Sequence, residues 1–361
     1  MSSTGATLSG SYSGASAVPT AVGFKYGTTS GNLNQTLSAT NNNGSLSATL
    51  TGLTAGTTYY YKAYVTVSGT GDYASQSQTF YGTEYSFTTS ASQSLPSYLT
   101  DYGMPDVSGI YNGLRTNGTN TAKSDDWYSY NTTSSKRQIA VHTYNATVNY
   151  VVLYDESKYA PVWTAHTMNN TTWPRNGVGR NESWGNDPAI SLTQQSGVDG
   201  YSKGHLVASN YRQTAVDQNK QTFYYSNQAP QWQNSFNSGV WSSLEDQVVA
   251  VSTTGTTMLY VITGVLYEGT VSTVSNVPIP SHFYKCIMRC TLNGTGVPTA
   301  AQGIAFVYTN EAHSGNYYDS AYVTSIDAIE TRAGFDFFAA VPDNLETAAE
   351  ANTSASWFTG N

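Results

Sequence analysis

Along the first ninety residues, apolar side chains come in short alternating runs broken by Gly, Asn and Ser. The clearest run is Tyr59-Tyr-Tyr61-Lys-Ala63-Tyr-Val65, in which Tyr59, Tyr61, Ala63 and Val65 fall on one face of a strand. Similar runs predict strands at 6–12, 21–27, 45–50, 58–67 and 84–88. Later in the chain the pattern predicts strands at 148–154, 222–226, 258–264, 282–290 and 302–308. In two places the period lengthens to that of a helix. Over 237–251, Trp241, Leu244, Val248 and Val251 share one face. Over 325–334, Ser325 is placed as an N-cap, Asp327 and Glu330 suit the positive end, and Gly334 stops the helix.

The residues before the tyrosine run, Leu53-Thr-Ala-Gly-Thr-Thr-Tyr59, resemble the corner of fibronectin type III domains, where the tyrosine bonds back to backbone. The resemblance implies an all-β sandwich, fibronectin III-like, over residues 1–90. A polar stretch ending in Pro96 predicts a linker at 91–97, which leaves 98–361 as a second domain. A chain of 361 residues is long enough for both. Composition sharpens this picture. Only 11% of residues are charged, yet there are 29 tyrosines, which argues for folded, β-rich structure and against disorder. The two cysteines, Cys286 and Cys290, are too few for a disulfide scaffold. On one strand their spacing puts them roughly 13 Å apart, too far to bridge. No apolar run approaches the ~20 residues of a membrane span.

Several chemistries are excluded by what the motifs lack. The five histidines are scattered, with no His-Glu-x-x-His or Cys-x-x-Cys zinc pattern. There is no phosphate-binding loop, no dinucleotide fingerprint and no Gly-x-Ser-x-Gly elbow, and Gly109 to Gly113 reads as ordinary turn. One region stands apart: Gly200-Tyr-Ser202-Lys203-Gly204-His205, then Ser226-Asn227-Gln-Ala-Pro230-Gln231, then Asn237-Ser-Gly-Val-Trp241-Ser-Ser-Leu244-Glu245. These resemble, in order, the Asp-Arg-Gly-His, Ser-Asn-x-x-Pro-Gln and Asn-x-Gly-x-Trp-x-x-Leu-Glu elements of the DNA/RNA non-specific endonuclease family. Upstream, Arg180-Asn-Glu-Ser-Trp184 resembles its Arg-x-x-x-Trp segment. Downstream, Tyr260 to Gly264, Val277 to Lys285 and Asp336-Phe-Phe338 resemble further landmarks. Each residue alone has a plainer reading: a strand histidine, a surface arginine, an N-cap asparagine, a solvated glutamate. The ordered set carries the resemblance, over roughly residues 98–345.

That resemblance implies an α+β domain of the ββα-metal fold with a central antiparallel sheet, and a Mg2+-dependent enzyme that cleaves phosphodiester bonds of DNA and RNA, its substrates. Mn2+ or Ca2+ would occupy the same site. The catalytic set it implies is His205, Arg180, Glu245 and Asn227. Asn237 would be the direct metal ligand and Glu245 would act through a water. Arg180, Lys203 and Arg212 would contact substrate phosphate. The chemistry suits these residue types. An imidazole with an unperturbed pKa near 6.5 suits a general base, and a guanidinium fork matches phosphate oxygens. Mg2+ takes oxygen ligands and keeps several waters.

Ser202 and Lys203 replace the family's Asp and Arg, and Val249 stands where an arginine is common. These departures bear on rate and affinity more than on reaction type. The first ninety residues hold two cations, Lys25 and Lys62, and two anions, Asp72 and Glu84, so the rest carries the whole net charge of −8. Nucleic-acid binders are more often basic, so a local positive cleft is required, and Arg175, Arg180, Lys203, Arg212 and Lys220 are its candidates. The alternative reading is a catalytically degenerate surface binding or adhesion protein on the same fold. Met1-Ser-Ser-Thr4 runs straight into polar sequence, which reads as a chain trimmed of its targeting segment, from a secreted, cell-surface or periplasmic protein.

Overall fold

A computed structural model describes residues 5–14, 18–54, 56–68, 76–89 and 95–360. Part of the expected linker, 91–94, lies outside them. The chain divides into two compact units, Met1–Ser94 and Leu95–Asn361. The first contains β1 Ala6–Ser11, β2 Ala21–Gly27, β3 Gln35–Ser38, β4 Thr40–Asn42, β5 Ser45–Leu50, β6 Thr58–Ser68, β7 Ser77–Tyr81 and β8 Tyr85–Thr88. One sheet runs β1-β5-β4; the other runs β3-β2-β6-β7, with β8 also on β6. Leu8, Phe24, Leu46, Leu50, Tyr59 and Phe87 fill the core. The Tyr59 hydroxyl accepts a hydrogen bond from Thr54 N at 3.0 Å, as the corner motif requires.

The second unit contains β9 Tyr111–Asn120, β10 Asp125–Thr132, β11 Arg137–Tyr144, β12 Thr147–Asp155, β13 Ala160–Met168 and β14 Ser202–His205. Next come α1 Val216–Gln221, β15 Gln228–Gln231, α2 Ser242–Ala250, β16 Thr257–Leu266, β17 Thr273–Val274, β18 Val277–Pro278, β19 His282–Leu292 and β20 Pro298–Thr309. It closes with β21 Val323–Thr324, α3 Ile326–Ala333, α4 Asp343–Glu350 and α5 Ser356–Thr359. Nine strands form one antiparallel sheet in the order β21-β20-β19-β16-β13-β12-β11-β10-β9.

Side chains alternate between the two faces of that sheet. Tyr150, Val152, Leu259, Val261 and Ile287 belong to one core, under Leu206, Trp241 and Leu244. Val151, Leu153, Tyr260, Ile262, Cys286 and Met288 belong to the other, under Phe337, Ile329 and Ala349. With both faces covered, β12, β16, β19 and β20 read as nearly continuous apolar runs, as the sequence pattern predicts, whereas β11 and β13, equally buried, are additions to it. The crossover from β13 to β16 spans residues 169–256 and carries every predicted site residue. Cys286 and Cys290 are free, both on β19. None of the described helices is long and apolar enough to cross a membrane.

Two expected elements are corrected. Residues 222–226 are not a strand: the segment is buried and ends in a short turn, Tyr225–Asn227. Burial on both sides imitates strand patterning. The helix expected over 237–251 is not continuous. An irregular helical stretch, Gln233–Trp241, has non-helical backbone at Asn234, Ser235 and Gly239, and the regular α2 begins only at Ser242. Asn237 and Glu245 therefore approach each other across a kink, not along one helix. The helix at 326–333 forms as expected, with Ser325 Oγ accepting from Ala328 N at 3.1 Å and Gly334 left-handed at φ 73°.

Candidate active site

Strands β14 and β15 pair antiparallel, with Gly204 opposite Ala229 and His205 opposite Gln228. This ribbon fixes the cleft. A Cβ on Gly204 would lie 2.4 Å from Gln231 Oε1 and 2.6 Å from Gln231 Cβ. The glycine is thus required by the fully buried Gln231 side chain. Gln231 Oε1 in turn accepts from Asn237 Nδ2 at 2.5 Å, which leaves the Asn237 carbonyl oxygen as the atom of that side chain that could hold a cation.

Arg180, Glu182, Trp184, Lys203, His205, Ser209, Asn237 and Glu245 line a single cleft of about 490 Å³. The His205 ring lies between Trp184 and Phe223, with centroids 4.8 and 4.9 Å away. The residue is only 7% exposed, and its Nε2 has no hydrogen-bond partner. Burial, helped by the Arg180 charge, lowers its pKa to about 3 against an opposing hydrogen bond to the Lys203 backbone carbonyl. The ring is therefore neutral at any ordinary pH, and a titration near 6.5 is not expected of it. Burial raises Glu245 to about 7, against the pull of Lys285. Lys285 is itself fully buried, donating to Thr263 Oγ1 at 2.9 Å and lying 4.7 Å over the Trp241 ring.

Arg180 reaches the cleft with its Nε bonded to Glu182 Oε1 at 2.8 Å and a terminal nitrogen 3.4 Å from Ser209 Oγ. Lys203 extends over Trp184 at 5.0 Å, so the position departing from the family pattern still presents a cation. Formal charges on the lining cancel: Arg180 and Lys203 against Glu182 and Glu245. A polyanion would meet no net positive field there without an added cation. The donors suit a hard divalent ion, since a carbonyl and a carboxylate are oxygen ligands.

Two sequence assignments are corrected. Arg212 cannot contact substrate phosphate: it is fully buried, with Nε on Asn149 Oδ1 at 2.6 Å and a terminal nitrogen on Asn149 O at 2.6 Å. Its role is to tie the segment after His205 to β12. Asn227 is likewise fully buried and touches no part of the cleft. It donates to Val207 O and Thr222 O at 3.0 and 2.8 Å and accepts from Val207 N at 2.9 Å, clamping the backbone just beyond His205. Neither Arg175 nor Lys220 lines the cleft: Arg175 donates to Asn210 O at its edge and Lys220 is held by Asp217. Val249 packs against the core below α2.

Sequence reasoning missed the buried support of this site. His142 lies between two carboxylates, Nδ1 2.8 Å from Asp125 Oδ2 and Nε2 3.0 Å from Asp187 Oδ2. Tyr224 donates to Asp125 at 3.0 Å and Ser226 to Asp187 at 2.5 Å. Burial opposes charge on this ring, but Asp187 and Asp125 outweigh it and hold the pKa at about 10. The cluster pins the segments that carry Trp184 and Asn227 onto β10 and β11. Asp187 follows the Arg180–Trp184 segment closely; for His142 no sequence signal exists.

The model of the DNA/RNA non-specific endonuclease family matches residues 115–344, more than half of the chain. The chain belongs to this family. Among relatives of this endonuclease, a nuclease of Nostoc sp. is 27% identical over 211 residues, 56% of this chain and 75% of its own length. Nuclease 1, mitochondrial, of Schizosaccharomyces pombe is 25% identical, over 54% of this chain and 65% of its length. Nuclease EXOG, mitochondrial, of Mus musculus is 26% identical, over 53% of this chain and 55% of its length. A solved structure of the EndoG/EndoGI complex aligns with a TM-score of 0.47 and 24% identity, over 57% of this chain and 88% of that one. The endonuclease is a nucleic-acid-hydrolysing enzyme of a metal-dependent family.

Proposed function

We propose that the endonuclease cleaves DNA and RNA without sequence preference, using His205 as general base and one Mg2+ held directly by Asn237 and through water by Glu245. The observation that carries this reading is the convergence of Arg180, His205, Asn237 and Glu245 on one cleft, with His205 Nε2 unpartnered. A neutral imidazole accepts a proton from an attacking water, and Nε2, buried and unpartnered in the unliganded fold, takes that role once substrate and water enter the cleft. Trp184, Phe223 and the Asn227 clamp hold that ring in place. Arg180 and Lys203 bind phosphate oxygens, Arg180 by exchanging Glu182 for substrate. A Mg2+ held by Asn237 and Glu245 would supply Lewis-acid charge to the phosphoryl group. Gln231 holds the Asn237 carbonyl ready for it.

In the same reading, residues 98–361 are the endonuclease domain, 91–97 a linker and 1–90 a fibronectin III-like sandwich. Its two sheets and the Tyr59 corner support the last assignment. Secretion or surface attachment fits an enzyme whose unspecific chemistry must be kept from its own cell's nucleic acid; fractionation of the source cells tests this. The deciding experiment incubates plasmid DNA and RNA with the full chain in Mg2+ and in EDTA. Cleavage is expected only in Mg2+. Asn237→Ala should abolish it and weaken Mg2+ binding while lowering the melting temperature by only a few degrees, through the lost hydrogen bond to Gln231 (about 1 kcal/mol). Unchanged metal affinity in that variant would place the ion elsewhere.

A further inference from the structure

On the sheet face opposite the cleft, α3 and α4 pack over β20 and bring several carboxylates together. One oxygen each from Asp327, Glu330 and Glu350 lies within 4.8 Å of the other two. Glu346 adds a fourth acid whose Oε1 is buried and unpartnered. No ion pair among the described residues engages any of these four. Arg332, on α3 itself, is committed to Glu268 through bonds of 2.9 and 2.7 Å.

Glu350 points to a ligand most directly. It is only 6% exposed, and its Oε1 has no hydrogen-bond partner. A buried, unpaired carboxylate oxygen is costly and is normally compensated. The fold nevertheless drives it inward: Gly303 on β20 lets α4 approach so closely that a Cβ there would lie 2.4 Å from Ala349 O. Glu330 is steadied by Phe337 N, which donates to its Oε1 at 2.5 Å. Without a cation, burial and the neighbouring acids push Glu350 up to about 9.

We propose that Asp327, Glu330 and Glu350 hold a divalent cation of the Ca2+ class, joining α3 to α4 on the face away from the active cleft. Three oxygens spread evenly around Ca2+ at its usual 2.3–2.6 Å bond lengths stand about 4.0–4.5 Å apart, so a set already within 4.8 Å closes on Ca2+ with little movement. Mg2+, at 2.0–2.1 Å and in strict octahedral geometry, needs a tighter cage. Half-exposed, water-completed sites of this kind bind on the order of 10⁻⁴–10⁻³ M. The site is independent of the cleavage mechanism.

Calorimetric titration of the full chain with CaCl2, with melting curves in parallel, tests it. In the Asn237→Ala chain, which lacks the proposed active-site ligand, one Ca2+ should still bind and raise the melting temperature. Adding Glu350→Gln should weaken that event at least tenfold and remove the thermal shift. Asp327→Asn, at an exposed position that the fold tolerates, should weaken it similarly and serves if Glu350→Gln misfolds. Loss of all Ca2+ binding in Asn237→Ala overturns the site, as does undiminished binding in both acid variants. A Glu350→Gln chain that is more stable than its parent, with no Ca2+ uptake in either, also overturns it and makes the cluster a proton-sharing one. If Asn237→Ala instead loses no Ca2+, the active-site assignment fails and this one stands.

Discussion

Adding a single methyl group at Gly204 should disable metal binding without touching any ligand. The backbone at Gly204 is not in the left-handed region, so alanine brings no conformational strain there. The cost is steric. The new Cβ would sit 2.4, 2.6 and 3.0 Å from Oε1, Cβ and Cδ of Gln231, and the first two contacts are shorter than any carbon tolerates. Gln231 is fully buried and cannot swing into solvent. It must shift, and Asn237 Nδ2, held by its Oε1, goes with it. Overpacking of this kind costs about 1–3 kcal/mol of stability. Loss of the Gln231–Asn237 hydrogen bond adds about 1 kcal/mol. Disturbing a group that orients a metal ligand usually costs 10–100-fold in metal affinity, or about 1.4–2.8 kcal/mol.

The assay is Mg2+ titration by calorimetry beside urea unfolding, for Gly204→Ala, Gln231→Ala and the double variant. Alanine at 231 removes the contacts to Oε1 and Cδ but keeps the Cβ at 2.6 Å, so Gln231→Ala should recover only part of the stability lost by Gly204→Ala. It cannot recover metal affinity, because Asn237 then has no anchor. A folded Gly204→Ala chain with wild-type Mg2+ affinity would refute the Gly204–Gln231–Asn237 linkage.

Three further outcomes are expected. His205→Ala should lower kcat by about 10²–10⁴-fold with metal binding kept, and the wild-type pH–rate profile should show no step near 6.5, because burial holds the ring's pKa at about 3; a clear step there would mean the ring is solvated. Glu182→Gln should free Arg180 and tighten duplex binding in Ca2+ by up to about fivefold, the scale of an exposed ion pair, and the wild-type salt slope should lie near −2, about −0.9 for each of Arg180 and Lys203; a slope of −6 or steeper would reveal a basic track elsewhere. His142 has a raised pKa, so its stabilisation is complete below the unfolded value near 6.5 and is lost as pH rises toward 10. His142→Gln should therefore destabilise by about 3–5 kcal/mol at pH 7, and by less at pH 10 in denaturant melts, whereas a pH-independent difference would exclude a charged ring.

What could be read from sequence follows from where each element gets its stability. β6, β12, β16, β19 and β20 carry apolar periodicity because one or both faces are buried. Among the strands that escaped, β11 and β13 are buried but carry polar residues such as Gln138, His142, Thr164 and His166 that interrupt the apolar run, and others are solvent-bound. β4 and β7 are exposed at every position, and β9 is a polar edge with exposed Leu114. Such strands form by pairing with a neighbour already in place, which a local pattern does not record. The cleft residues His205, Asn237, Glu245, Arg180 and Lys203 were legible because the motifs keep their order and spacing. Arg212 and Asn227 were legible as members of the same motifs but misread in role. A motif fixes which residue is needed, and burial decides whether it faces substrate or scaffold. The kink at Gly239 was invisible for a related reason: Trp241, Leu244 and Val248 keep helical spacing although the backbone before them does not.

The electrostatics of the cleft explain how an acidic chain can serve a polyanionic substrate. Its two cations are matched by two acids, so long-range attraction is weak, and on the proposed mechanism the decisive charge would be that of a cation held at Asn237. That arrangement makes metal and nucleic acid binding mutually dependent, since each site sees the other's charge, and such coupling is reciprocal. The buried ionic cluster around His142 works in the opposite sense. Its charges are satisfied internally, by Asp125 and Asp187, and contribute rigidity to the segments bearing Trp184 and Asn227. Those segments hold the His205 ring dry between Trp184 and Phe223, and dryness is what keeps it neutral. Charge is thus spent inside the fold on position, while the cleft stays close to neutral until the metal arrives.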